Sequence, residues 1–265
     1  MAKTQKELAF LRDLYIADEW TRRFAELVDK HFEFGGEEQN LLYINAGTGA
    51  HAFELRDRLD KRTNIFAAVE DEDMLTIARD KAAAIKSDVE FSMTQFDTGS
   101  FDAVIGDASF VRPEALGEFF DETLRVAETG ASVGVMTVTA GSFGEIFSLL
   151  WEVLFNEDLG DHGRAAEEMI TELPSVSHVE QLARDAGMVN IVTHTANEVF
   201  EYDDGKALVN SPLVGDFLIP VWLRSLGEED QARVIERLSK LVDEEDGSLS
   251  FRFSVKATLV TGEKG

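Results

Sequence analysis

Apolar residues near the start of the chain recur at helical spacing. Leu8, Leu11, Tyr15, Trp20, Phe24, Leu27 and Val28 fall near one face of a 3.6-residue repeat. Thr4-Gln5-Lys6-Glu7 ahead of them has the form of a capping box, in which a hydroxyl and a carboxylate each accept a backbone N–H at the helix start. Gly35-Gly36 closes this segment. From there short apolar runs alternate with amphipathic stretches. Strands are predicted over residues 41–44, 64–69, 89–93, 101–105 and the valine-rich 131–138. Helices are predicted through Leu55 and Leu59, over 73–86, and from Pro113, whose fixed φ suits a first turn, to about Glu128. Such alternation gives a parallel sheet covered by helices.

The second half is less regular. Residues 143–155 and 176–186 are predicted helices, the latter ended by Gly187, and 189–202 a long strand. Two helices are expected between Lys206 and Val242, an insertion rather than a tight turn. The last run alternates Leu249, Phe251, Phe253, Val255, Ala257 and Leu259 with more polar residues, a period of two that predicts a strand antiparallel to its neighbour.

Composition narrows the function. The net charge of −26, from 51 acidic and 25 basic residues, repels phosphate backbones and argues against a nucleic-acid substrate. We read this acidity as serving solubility. Cysteine is absent, which excludes thiol catalysis, disulfides and Cys-ligated metal. The five histidines, His31, His51, His162, His178 and His194, show no metal-ligand spacing, so no metal is expected. No stretch reaches the ~18 apolar residues of a membrane span. The opening residues lead straight into a helix without a secretory h-region, so a cytoplasmic location is expected.

The most informative segment is Leu41-Leu42-Tyr43-Ile44-Asn45-Ala46-Gly47-Thr48-Gly49, a strand that runs into a glycine turn before a helix. Glycines let such a turn bend sharply and let backbone N–H groups approach a ligand. Further on, Glu70 ends the second strand, where a carboxylate can accept both hydroxyl protons of a ribose. Gly47-Thr48-Gly49-Ala50-His51-Ala52 also fits the dinucleotide pattern G-x-G-x-x-A, with Glu70 as its ribose acid. An NAD-binding oxidoreductase is therefore a second reading. Tyr202 and Lys206 have the Tyr-x-x-x-Lys spacing of short-chain dehydrogenases, but Asp203-Asp204-Gly205 between them predicts a turn where that pair needs one helix.

These residues resemble the class I S-adenosylmethionine (SAM)-dependent methyltransferases, especially the small-molecule type similar to quinone-biosynthesis methylases. The resemblance rests on the glycine turn, on Glu70 in Ala68-Val69-Glu70-Asp71, on Phe101-Asp102-Ala103-Val104, and on Thr123-Leu124-Arg125-Val126 followed by Gly130. It implies a Rossmann-like α/β fold with a seven-stranded, mostly parallel sheet in the order 3-2-1-4-5-7-6, strand seven reversed. It implies one domain comprising an N-terminal helical lid (1–36), a cofactor-binding half (37–140) and a substrate half (141–265) with a helical insertion at 203–247. The implied cofactor is SAM, held by Asn45, Ala46, Gly47, Thr48, Gly49, Glu70, Asp71, Gln95 and Asp107. Tyr43 stands where the family usually has an acid for the methionine amino group, Asn45 replaces the first glycine, and Gln95 replaces an adenine-binding Asp.

The implied reaction is methyl transfer to a small-molecule acceptor, achieved largely by positioning the reactants. His162 is the candidate general base, should the acceptor need to lose a proton. A SAM- or S-adenosylhomocysteine-binding regulatory protein without catalysis is the alternative that Tyr43 and Asn45 suggest. Trp151, Phe155, Phe217 and Trp222 are expected to form an apolar cap over the acceptor, with a homodimer interface as the competing use of these side chains.

Overall fold

A computed structural model describes residues 3–35, 39–160, 172–246 and 250–265. Seven strands form one sheet in the order β3-β2-β1-β4-β5-β7-β6. They are β1 Asn40–Ile44, β2 Asn64–Ala68, β3 Glu90–Ser92, β4 Phe101–Asp107, β5 Ala127–Thr139, β6 Met188–Tyr202 and β7 Phe251–Lys264. The first five are parallel, and the sheet is mostly parallel with β7 reversed, as the pattern implies. The alternating apolar residues of β7, from Phe251 to Leu259, are all buried.

The helices are α1 Gln5–Leu11, α2 Arg22–His31, α3 Ala50–Arg58, α4 Glu72–Ile85 and α5 Leu116–Val126. They continue with α6 Gly144–Asn156, α7 Val176–Asp185, α8 Gly205–Asn210, α9 Ile219–Trp222 and α10 Glu228–Asp246. Two stretches, Arg12–Thr21 and Pro212–Leu218, wind as π-helix. The chain falls into two compact units. One comprises Met1–Val138, Ser175–Ala196 and Ala257–Gly265, and the other Thr139–Pro174 and Asn197–Lys256, so β6 and β7 pass from one to the other.

In the first unit the capping box forms: Thr4 N–H donates to Glu7 Oε2 at 2.8 Å, and Glu7 N–H to Thr4 Oγ1 at 3.3 Å. The apolar face predicted for the first helix holds at Trp20, Phe24, Leu27 and Val28, all buried. It fails at Tyr15, which is 43% exposed while the neighbouring Ile16 is fully buried. The cause is the π-helical winding of Arg12–Thr21, whose i→i+5 turns carry the inward face off the α-helical repeat. The unit's core joins Leu42, Val104, Val133 and Val135 of the sheet to Leu116, Phe120 and Leu124 of α5 and Val179 of α7. Side chains of this kind contribute about 1.5–3 kcal/mol each when fully buried. Where the sequence predicts a helix to Glu128 and a strand from Ala131, α5 instead stops at Val126 and β5 begins at once. The pairing jumps from Phe101↔Ala127 to Ala103↔Ser132, a bulge that throws out the polar residues 128–130 and turns at Gly130 with φ +81°.

The second unit is helical around an aromatic cluster. The Trp222 ring lies 4.9 Å from Phe147 and 5.4 Å from Phe143, and Phe253 stacks on Phe200 at 5.1 Å. The insertion forms four helical segments rather than the two expected. Pro212 and Pro220 lack the N–H that a helix interior needs and so sit in the first turns of new segments. Helix α8 is drawn tightly onto α10: Gly205 N–H donates to Asp243 Oδ1 at 2.7 Å, and a Cβ at Gly205 would lie 1.9 Å from Ser239 O. Trp151 and Phe155, on α6, are 41% and 70% exposed, unlike Trp222.

Candidate functional site

The parallel registers decide which residues meet. Ile44 at the end of β1 pairs with Ala68 of β2 and with Gly106 of β4. Asn45 and Val69-Glu70, which follow β1 and β2, and Asp107, the last residue of β4, therefore come together at the carboxyl edge of the sheet. The strand order reverses between β1 and β4, and open α/β sheets bind ligands at such a switch point. Asn45 takes the left-handed conformation expected of a first glycine, with φ +57°, and its Nδ2 donates to the Asp107 carbonyl at 3.0 Å. Asn tolerates that region better than most residues, and here its amide also ties β1 to β4. Gly49, at φ +85°, caps α3; a Cβ there would lie 2.5 Å from the Phe91 ring. Gly47, at φ +56°, has nothing within 4 Å of where its Cβ would be, so the turn faces open space at this point.

Two carboxylates bear on the turn. Glu70 Oε2 accepts the Gly47 N–H at 3.1 Å, and its Oε1 pairs with Arg12 at 3.2 Å. Asp107 Oδ1 accepts the Ser109 N–H at 2.9 Å, and Ser109 Oγ accepts the Trp20 indole N–H at 2.9 Å. Burial pushes Glu70 above the usual carboxylate range, although Arg12 pulls it back. Burial likewise raises Asp107, against the hydrogen bonds from Ser109. The cleft is therefore a desolvated, anionic place, answered from the N-terminal helix by one guanidinium. Arg12 also lies over the Phe110 ring, 4.7 Å from its centroid.

Beneath the turn runs a buried relay. Tyr43 Oη lies 3.1 Å from His51 Nδ1, and His51 Nε2 lies 3.1 Å from Asp29 Oδ1, which also receives Arg58. With the Nε2 proton assigned toward Asp29, Nδ1 accepts the Tyr43 hydroxyl proton. Burial, with the charges of Asp107, Asp29 and Glu70, pushes the Tyr43 phenol well above its ordinary value and keeps it neutral. Burial works to raise Asp29, but His51 and Arg58 outweigh it and hold the carboxyl low. Tyr43 thus points its hydroxyl at α3, where it links β1 to α3 and, through Asp29, to α2.

Of the residues expected to hold a cofactor, Asn45, Ala46, Gly47, Thr48 and Asp107 line one small cavity together with Arg12, Ala17 and Thr21. Glu70 reaches it through Gly47 and Arg12. Asp71 caps α4, its Oδ1 accepting the Met74 N–H at 2.8 Å. Gln95 is exposed in the loop after β3 and makes no side-chain hydrogen bond among the described residues. His162 lies outside the described residues. Trp20, Ser109 and Phe110 complete the cluster with Arg12, the one of them that sequence reasoning missed. The only hint was an arginine on the first helix of a strongly acidic chain. Tyr202 ends β6, whereas Lys206 lies in α8, beyond its N-cap Asp204, so the pair does not share a helix. Another cavity, of about 430 Å³, is lined by His31, Ser132, Asn190, His194 and Glu263 among others, and touches none of the turn residues. Although it is larger, it lacks the glycine turn and the strand-end acids. Among the described residues no group of three His, Asp or Glu could hold a metal ion.

No protein-family model and no curated protein sequence matches the chain. Solved structures do. The YcgJ protein of Bacillus subtilis aligns at 15% identity and a TM-score of 0.59, over 92% of this chain and 98% of its own. A putative methyltransferase of Bacillus halodurans aligns at 14% and 0.59, over 92% and 99%. A Haemonchus contortus phosphoethanolamine N-methyltransferase, in complex with phosphomonomethylethanolamine and S-adenosylhomocysteine, aligns at 14% and 0.55, over 98% of this chain and 58% of its own. Identities this low speak for the fold alone. With its strand order, its reversed last strand and these neighbours, the chain has the fold of the class I SAM-dependent methyltransferases.

Proposed function

We propose that the chain binds SAM at the glycine turn and transfers its methyl group to a small-molecule acceptor. The observation that carries this reading is the sign of the charge at the turn. In a dinucleotide enzyme the turn's N–H groups and the helix start receive a pyrophosphate. Here the Gly47 N–H already donates to a carboxylate, and a second buried carboxylate, Asp107, stands across the turn. Two acids repel a pyrophosphate and favour a cationic ligand, because charge interactions strengthen where water is excluded. SAM carries a sulfonium and an ammonium group, and would supply an electrophilic methyl.

The residues present fit that ligand. The turn opens at Gly47, Glu70 offers acceptors for ribose hydroxyls, and Asp107 offers an anion for a cationic group. Asn45 fixes the spacing between the turn and Asp107. The overall charge of −26 favours a small acceptor over a polyanion. Among the described residues no helix is long and apolar enough to cross a membrane. Mass spectrometry of small molecules released from the purified, denatured protein tests the reading. An adenosyl thioether or sulfonium is expected, and a nicotinamide dinucleotide in its place would overturn it.

A further inference from the structure

The glycine turn is covered by a residue of its own chain. Arg12 is the first residue of the π-helical stretch Arg12–Thr21, and its guanidinium lies 3.2 Å from Glu70 Oε1 and over Phe110. Both oxygens of Glu70 are thus engaged, one by Arg12 and one by Gly47. The stretch is fastened at two further points. Asp13 pairs with Lys81 of α4 at 2.5 Å, and Trp20 donates to Ser109 beyond β4. The cavity left between Arg12, Ala17, Thr21 and the turn is about 10 Å³, roughly room for one water. Small-molecule sites need about 300–1,000 Å³. Arg12 therefore occupies the Glu70 side of the turn, while the Gly47 side stays open.

We infer that the π-helical stretch is a lock on the candidate cofactor site, in which Arg12 takes the place on Glu70 that a ribose would occupy. This rests on the reading of that site as one for an adenosyl ligand. A ligand that needs the Glu70 carboxylate must displace Arg12, so its apparent affinity is the intrinsic affinity reduced by the fraction of molecules that are open. π-Helical turns within α-helices often occur at functional sites, and this one lies between two α-helical segments. The pair is largely withdrawn from water and so is screened little by salt; the lock is opened by a ligand that competes for Glu70 rather than by ionic strength. The site is then regulated by the chain's own N-terminal segment.

The test is calorimetric titration of S-adenosylhomocysteine into the whole protein and into Arg12→Met, which keeps the apolar stem over Phe110 but cannot pair with Glu70. Binding to Arg12→Met should be at least about fivefold tighter than to wild type. Raising NaCl from about 50 to about 500 mM should leave the ratio of the two affinities nearly unchanged. Arg12→Lys, which restores the charge, should return affinity toward the wild-type value. Thermal melts confirm that each variant is folded. If wild type binds and Arg12→Met binds equally or more weakly, Arg12 is no competitor and the lock is wrong. If neither binds at any salt concentration, the adenosyl reading of the site itself falls and the lock falls with it.

Discussion

At the glycine turn, Glu70 takes the Gly47 N–H on one oxygen and the Arg12 guanidinium on the other, the buried Asp107 takes the Ser109 N–H, and the cavity beside them is close to the size of a water molecule. In the second unit the buried contacts are aromatic instead, with Trp222 against Phe143 and Phe147 and with Phe253 stacked on Phe200. The first region has its polar groups placed by strand register, to the residue. The second fills volume with rings, whose attraction is less directional and depends on area. Mutations should therefore separate the two. Changes at the turn should alter ligand binding with little loss of stability, and changes in the aromatic cluster should do the reverse.

The largest effect is expected at Trp222, which is 6% exposed. Trp222→Ala should cost about 3–5 kcal/mol of stability, read from denaturant unfolding. Affinity for S-adenosylhomocysteine, measured on the folded fraction, should be nearly unchanged. A large loss of affinity in that fraction would break the division between the regions. Next, Glu70→Ala should weaken binding by about 2–4 kcal/mol while the fold persists, since two charge-assisted hydrogen bonds are lost with partial non-additivity. Wild-type affinity in this variant would make Glu70 no more than a partner for Arg12 and Gly47.

A smaller change is expected at Tyr43→Phe, which removes the hydroxyl from a buried His51 nitrogen. Its stability cost should be about 1–3 kcal/mol. A neutral result would show that the relay from Tyr43 through His51 to Asp29 does not hold β1, α3 and α2 together. The mildest effect near neutral pH concerns Glu70. Its carboxyl is held above 4.5 by burial, so its own contribution to stability is present below the unfolded value and lost as pH rises through the folded one. Binding runs in the opposite sense, because only the carboxylate accepts two hydroxyl protons. Affinity for S-adenosylhomocysteine should therefore fall on acidification with a half-point above 4.5, and Glu70→Gln should remove that part of the trend.

What could be read from the sequence divides along the same line. The turn at Asn45–Gly49 and the acid at Glu70 are carried by short-range patterns, a glycine spacing and an acid at a strand end, and the strand order followed from the family resemblance that those motifs carry. The alternation of Phe251, Phe253, Val255, Ala257 and Leu259 likewise marks the reversed strand. Arg12 was out of reach, because its contact with Glu70 spans a long stretch of chain and depends on a π-helical winding that no periodicity announces. The same winding placed Tyr15 outside and Ile16 inside. In the insertion, the apolar count signalled burial, but Pro212 and Pro220 cut it into more segments than periodicity alone suggests.

The central claim is that the glycine turn is a site for an adenosyl thioether or sulfonium. Calorimetric titration of S-adenosylhomocysteine and, separately, of NAD into the wild-type protein tests it most directly. The account predicts saturable heat from S-adenosylhomocysteine at one site per chain and none from NAD. Heat from NAD alone would contradict it.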